Sequence, residues 1–245
     1  MDKKKRVETG IAGLDKMLSG GFLLGSANLA RGAPGTGKTL MGLQYLVHGA
    51  ALAEPGLLIS FEEFPQALQY DAESLGWDLR TLQDQELLHL YFTSPQVLLK
   101  SLESPTGPLS DLFVEKGIQR VVLDSVTHFT RLTNDHQQLR GIYHRLINAL
   151  KREGTTSLLL AEEGRTEAQR SERGQLSFIV DTIVLLRYVE IESAMQRAIA
   201  VIKMRGSDHV KEIRRFEIRR GGFVVTSVFE GRESILTGIS HRVSH

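Results

Sequence analysis

The sequence predicts an α/β fold with a mostly parallel central sheet flanked by helices and antiparallel strands at its C-terminal end. Between residues 25 and 161, apolar strand-like runs alternate with segments of helical periodicity. The rhythm then changes to four strand-like runs, Ile183–Ile191, Arg197–Met204, Arg214–Ile218 and Phe223–Val228. Alternation followed by a block of strands is the pattern of a parallel sheet with antiparallel additions. A chain of 245 residues with 41% hydrophobic content suits one domain with a sizeable core. No repeat or low-complexity linker divides it, so residues 1–245 are expected to form a single domain. Residues 1–6 are expected as a flexible basic arm and residues 230–245 as a tail.

Composition excludes several function classes. The net charge of +1 creates no global field to recruit nucleic acid or an anionic membrane, and neither is an expected partner. There is no cysteine, which excludes disulfides and thiolate metal sites and fits a reducing compartment. The basic start, Met1 to Arg6, is not followed by an apolar segment, and no run of 18 apolar residues occurs. A cytoplasmic protein is the expectation.

The elements follow in order. Gly25 to Arg31 is a short strand leading into a glycine loop, and Thr39 to Ala53 is apolar and rich in helix formers until Pro55-Gly56 breaks it. Leu57 to Phe61 is a buried strand. Pro65 fits the first position of a helix that runs to Leu75. Glu86 to Phe92 is a strand, and Pro108 opens a short helix before Lys116-Gly117. Gln119 to Leu123 is a strand ending at Asp124. Leu139, Ile142, Tyr143, Leu146, Ile147 and Leu150 form one helical stripe. Thr155 to Ala161 is a strand, and the charged stretch from Glu162 to Arg173 is a loop.

Gly32-Ala33-Pro34-Gly35-Thr36-Gly37-Lys38-Thr39 satisfies the pattern G-x-x-x-x-G-K-S/T between a strand and a helix. Its glycines let successive N–H groups turn inward on phosphate oxygens, and the helix adds its positive N-terminal end. The contact positions on this side are Gly35, Thr36, Gly37, Lys38, Thr39 and Leu40. Lys38 is placed to reach β- and γ-phosphates, and the Thr39 hydroxyl to reach Mg²⁺. Asp124, at a strand tip, is the expected outer-shell partner of that metal.

Glu62 and Glu63 end the first strand after the loop helix, and Glu62 lies 24 residues beyond Lys38. They therefore emerge at the sheet edge that carries the loop. A carboxylate there can orient and deprotonate an attacking water. Capping of the Pro65 helix is the competing role, and each residue can take one of the two. Glu162-Glu163 also ends a strand and is a weaker candidate.

These motifs, with Val7 to Asp15, Gly20-Gly21-Phe22, Ser74 to Leu79, Asp181 to Leu186 and Lys203-Met204-Arg205-Gly206-Ser207, resemble the KaiC family of the RecA superfamily. The resemblance spans nearly the whole chain. It implies a RecA-like P-loop ATPase that uses Mg-ATP and assembles as a homohexamer with ATP between neighbours. It also implies that Lys203 and Arg205 reach across to the neighbour's phosphates. Spacing of two places both cations on one face of a strand, as a polyphosphate requires. Ile202, Ser207 and His209 match the same neighbour-facing wall, and Ser74 matches a position near the nucleotide on the loop side. A regulatory protein partner is left unidentified.

Two other functions compete with ATP hydrolysis. The family's kinase members carry adjacent Ser and Thr phosphosites, whereas the corresponding stretch here is Leu176-Ser177-Phe178. Ser177 is then the acceptor for an autokinase. A DNA-binding recombinase relative would use Arg165, Arg170 and Arg173, or the cluster Arg214, Arg215, Arg219 and Arg220. Glu163, Glu167 and Glu172 offset the first group, and Arg214 and Arg215 face opposite sides of a strand.

Overall fold

The computed structural model describes residues 5–103, 108–163, 176–229, 232–233 and 241–242. The chain begins with β1 (Arg6–Val7), α1 (Leu14–Met17) and β2 (Phe22–Leu23), and β1 pairs antiparallel with β2. Arg6 was expected in the arm. It is instead a strand residue whose guanidinium donates to the carbonyls of Leu18 (2.7 Å) and Gly21 (2.9 Å).

Strand β3 (Ala27–Gly32) feeds the glycine loop and α2 (Lys38–Ala51). Next come β4 (Gly56–Ser60) and α3 (Pro65–Leu75), where Pro65 occupies the first turn and Gly76 closes the helix at φ 88°. Helix α4 (Leu79–Asp84) starts at the Asp78 carboxylate, which accepts from the Thr81 N–H. Then follow β5 (Leu88–Phe92), α5 (Pro95–Glu103), α6 (Pro108–Glu115), β6 (Arg120–Asp124) and a 3-10 helix (Val126–Leu132). Helix α7 (His136–Arg152) is capped by Asp135, and its six-residue apolar stripe from Leu139 to Leu150 is buried as expected. Strand β7 (Thr156–Glu162) precedes a helical turn at 176–179, and β8 (Thr182–Ile191), β9 (Ala194–Met204), β10 (Arg214–Arg219) and β11 (Gly222–Val228) follow. In the expected tail, β12 (Arg232–Glu233) and β13 (His241–Arg242) pair antiparallel.

One sheet of nine strands organises the chain in the order β11-β10-β9-β8-β3-β7-β6-β4-β5. The strands from β8 to β5 are parallel, and β9, β10 and β11 add antiparallel. Strand periodicity divides the core between the two faces. Leu58, Val122 and Leu160 pack with Met41, Leu43 and Leu46 of α2 on one face. Leu57, Ile59, Val121, Leu123 and Leu159 pack with α5, α6 and α7 on the other. Arg120 is among the largest fully buried side chains of the described residues. It bonds Glu54 at 2.7 Å, donates to the carbonyls of Glu8 (2.8 Å) and Tyr45 (3.0 Å), and lies over the Tyr45 ring. It ties β6 to the end of α2 and to the N-terminal segment. Among the described residues, no helix is long and apolar enough to cross a membrane.

Candidate functional site

The C-terminal ends of β3, β7, β6 and β4 converge because register pairs Gly32 with Glu162, Asp124 with Leu160 and Ser60 with Asp124. Side chains leaving these ends share a cavity of about 450 Å³. Its floor is the glycine loop. Gly37 sits at φ 95°, and a Cβ there would lie 2.4 Å from Ile218 Cδ1. A Cβ on Gly32 would meet the Leu186 carbonyl oxygen at 2.5 Å, so the neighbouring strand demands glycine. Lys38 is buried, with Nζ donating to the carbonyls of Gly32 (3.0 Å) and Ala33 (3.1 Å). Burial lowers its pKa, against the opposing pull of Glu162 and Asp124.

The Thr39 hydroxyl donates to Asp124 Oδ2 at 2.6 Å. Burial raises the Asp124 pKa, while the Thr39 bond and Lys38 lower it. Beside them, Glu63 Oε2 is buried without a hydrogen-bond partner. Burial comes first in raising the Glu63 pKa, and Asp124, Asp71 and Glu62 add to the rise. A hydroxyl, a half-buried carboxylate and an orphaned acidic oxygen are the donor set that a hard divalent cation satisfies. No cluster of three or more His, Cys, Asp or Glu that could hold a metal occurs among the described residues. Mg²⁺ fits such a site, because it takes one or two carboxylates and fills its shell with phosphate oxygens and water.

Glu62 also lines the cavity and stays exposed. Its carboxylate lies 3.1 Å from His128 Nε2 and 3.6 Å from Arg131, both on the 3-10 helix. Of the weaker candidates, Glu162 lines the cavity, whereas Glu163 forms an ion pair with Arg187 at 3.0 Å. Ser74 is exposed on α3, bonds the Asp71 carbonyl of its own helix and is not among the residues lining the cavity.

Sequence reasoning missed Arg197 and Tyr188. Tyr188 donates to the Gly35 carbonyl at 2.8 Å, and the Arg197 guanidinium lies 5.4 Å over its ring. Arg197 lines the cavity with a buried Nε that has no hydrogen-bond partner. The available signal was the hairpin itself. An antiparallel pairing of the runs at 183–191 and 197–204 places residue 197 opposite residue 188, at the loop edge.

Lys203 and Arg205 lie at the other edge of the sheet, because β9 runs antiparallel to β8. Lys203 donates to the carbonyls of Ser177 (2.6 Å) and Val180 (2.7 Å), and Arg205 to that of Phe178 (2.9 Å). Both therefore face one segment, as their spacing predicts, although the strand ends at Met204 and Arg205 lies just beyond it. Burial and neighbouring Arg205 lower the Lys203 pKa. Asp181 anchors the segment, with one oxygen on the Ala27 N–H at 2.9 Å and on Lys151 at 2.6 Å. Ile202 is exposed beside an irregularity in the β8–β9 ladder, Ser207 bonds Arg6, and His209 is half-buried. The three belong to this edge and not to the loop cavity of their own chain.

Arg214 pairs with Glu212, and Arg215 lies over the Phe229 ring, so that cluster is partly neutralised. Arg165, Arg170 and Arg173 lie outside the described residues.

Residues 7–229 match the family model described as ATPase: KaiC. The chain belongs to the KaiC family of ATPases. It is 34% identical over 241 residues to the circadian clock oscillator protein KaiC of a Picosynechococcus species, covering 98% of this chain and 46% of that protein. The clock oscillator protein of Thermosynechococcus vestitus is 34% identical over 240 residues, at 98% and 46% coverage. The circadian clock protein KaiC3 of a Synechocystis species is 32% identical over 217 residues, at 86% and 43%. The chain thus spans about half the length of the curated relatives it matches. The sheet and cavity are those of a RecA-like P-loop ATPase, as the KaiC-family match requires.

Proposed function

We propose that this KaiC-family chain binds Mg-ATP and hydrolyses it at interfaces between identical subunits of a ring. The observation that carries the proposal is the division of the machinery between two edges. The loop, Asp124 and the glutamate pair share one cavity, and the paired cations sit at the opposite edge. Across the β3–β8–β9 ladder Arg205 lies level with Ala27, five steps of about 3.3 Å or about 17 Å along the strand from Gly32, and Lys203 lies level with Leu29, three steps or about 10 Å away, with both side chains bonded to the 177–180 segment and not turned to the loop. Neither cation spans its distance to its own loop, whereas both are available to a neighbour.

Bound Mg²⁺ would neutralise charge on the β- and γ-phosphates, with Thr39, Asp124 and Glu63 as its protein-side donors. Lys38 leaves the loop carbonyls for phosphate oxygens. Glu62 takes a proton from the attacking water as the bond to the γ-phosphorus forms and the bond to the β–γ bridging oxygen breaks. His128 and Arg131 hold Glu62 in place, which is the base-and-orienter arrangement such chemistry needs. Arg205 and Lys203 of the neighbour meet the charge spread over the γ-phosphoryl oxygens. Arg197 approaches the phosphates from within the same chain.

Phosphate release from ATP, measured with Mg²⁺ and after its chelation, tests the proposal. Glu62→Gln is expected to lower kcat about 10²–10⁴-fold with nucleotide affinity kept, as for loss of a general base. Wild-type turnover within threefold in that variant would remove Glu62 from the role, and no metal-dependent release by folded protein would overturn hydrolysis itself.

One observation favours a second reading. The Ser177 carbonyl accepts from Lys203 at 2.6 Å, so a ring that carried Lys203 to a neighbour's phosphates would carry Ser177 with it. An autokinase would transfer phosphate there. Labelled ATP followed by site mapping separates the two, and unlabelled protein after many turnovers rejects the kinase.

A further inference from the structure

Strands β8 and β9 run past the end of their neighbour and overhang the phosphate loop. Strand β3 stops at Gly32, level with Leu186, whereas β8 and β9 stay paired as far as Ile191 and Ala194. Tyr188 shares a face of β8 with Leu186, the face that packs on α2. From there its hydroxyl donates to the Gly35 carbonyl at 2.8 Å. Gly35 sits in the loop at φ 78°. Carbonyl and phosphate oxygens repel, so a loop that binds phosphate aims its N–H groups inward and its carbonyls away. A donor behind the loop fixes one carbonyl in that sense before any ligand arrives. Tyr188 is not among the residues lining the loop cavity, so a nucleotide there leaves this bond in place. The Lys38 bonds to Gly32 and Ala33, by contrast, are given up to phosphate.

The same ring serves Arg197. Register places Arg197 opposite Tyr188, and its guanidinium lies 5.4 Å over the ring. Arg197 borders two cavities. One is the loop cavity, and the other, of about 420 Å³, opens where the β9–β10 ladder stops at Ala198 and Arg215. An arginine between two cavities has room to swing, and the face of the ring is the surface that directs it. Its buried Nε has no hydrogen-bond partner and is the donor left for an incoming oxygen. We propose that Tyr188 is a positioning residue for the phosphate site: its hydroxyl holds the Gly35 carbonyl away from the cavity, and its ring holds Arg197 over it. The proposal rests on the nucleotide reading above and adds to it a residue that touches no ligand.

Two variants separate the two parts. Tyr188→Phe removes the hydroxyl and keeps the ring, and Tyr188→Leu removes both. Calorimetry with Mg²⁺ and a non-hydrolysable ATP analogue is expected to show affinity about three- to tenfold weaker in Tyr188→Phe, the effect of one lost hydrogen bond, with the loss appearing in KM and not in kcat. Tyr188→Leu is expected to lose the same affinity and to lower kcat about two- to fivefold as well, as for a lost cation–π contact. Hydrogen exchange without nucleotide reads the clamp directly. The amides of Gly35, Thr36 and Gly37 are expected to exchange faster in Tyr188→Phe, with those of β3 and β8 unchanged. Unchanged or tighter binding by Tyr188→Phe, or unchanged exchange in the loop, overturns the part given to the hydroxyl. Equal kcat in the two variants overturns the part given to the ring. Wild-type protein that takes up no nucleotide removes the reading beneath the proposal, and the exchange of the loop amides still decides the clamp.

Discussion

Arg205→Ala tests whether the second edge of the sheet belongs to the chemistry. Its magnitude follows from distance. Within one chain Arg205 is about 17 Å along the sheet from the loop and its side chain is 56% exposed, so at a solvent-screened dielectric near 80 that separation is worth about 0.2 kcal/mol per unit charge. The corresponding change in rate is about 1.4-fold. Against a neighbour's γ-phosphate, at about 4 Å and an effective dielectric near 20, the same charge is worth about 4 kcal/mol, or about 10³ in rate. Phosphate release by Arg205→Ala, at a concentration where its assembly matches wild type, distinguishes the two. Complementation sharpens the assay. Glu62→Gln and Arg205→Ala subunits are each expected to be nearly inactive, and mixing them should restore turnover at interfaces where an intact loop edge meets an intact cation. Activity of Arg205→Ala within twofold of wild type, or no recovery on mixing subunits that exchange, would refute the placement.

Asp124→Asn is expected to lower turnover at least about 10²-fold, as for loss of a metal partner's orientation, while raising the melting temperature of the protein without nucleotide at pH 7. The sign follows from a carboxyl pKa raised by burial. The folded state binds the proton more readily, so ionisation destabilises it as pH rises above the ordinary carboxylate range, and the stabilising effect of Asn should vanish below about pH 4. A pH-independent change in melting temperature would contradict this. Arg120→Ala should cost about 3 kcal/mol in urea unfolding, since it removes a buried ion pair, two bonds to carbonyls and a cation–π contact. A loss below about 1 kcal/mol would show that Glu54, partly exposed, is satisfied by water.

The parts of the site that were legible in the sequence are those made by neighbours in the chain. The loop needs contiguous glycines and a lysine, and the glutamates need only the tip of the strand after α2. Asp124 was readable because an apolar run ended on it. The alternation of strands and helices marked the sheet as mostly parallel for the same reason, whereas the strand order came only with the structure. Helices α4 and α5 escaped because their buried stripes are short: α4 buries Leu79, and α5 buries Leu98 and Leu102. One or two apolar positions do not make a period. His128 escaped because a 3-10 helix, with no amphipathic signature of its own, turns it under Glu62.

Arg197 shows a different limit. Nothing about an arginine in a strand marks it as a phosphate-side residue. It acquires that position because β9 reverses direction, so residues 197 and 203 of one strand serve opposite edges. The same reversal is what separates Lys203 and Arg205 from their own loop. A parallel strand in that place would have brought Lys203 and Arg205 to the acidic cavity of the same chain, where they would pair with Glu62 and Glu63 without a partner. By running antiparallel, β9 leaves Arg197 beside Lys38 at the acidic edge and carries Lys203 and Arg205 to the far edge. On the trans-site reading proposed above, the direction of one strand is what would make the rate of phosphoryl transfer depend on assembly.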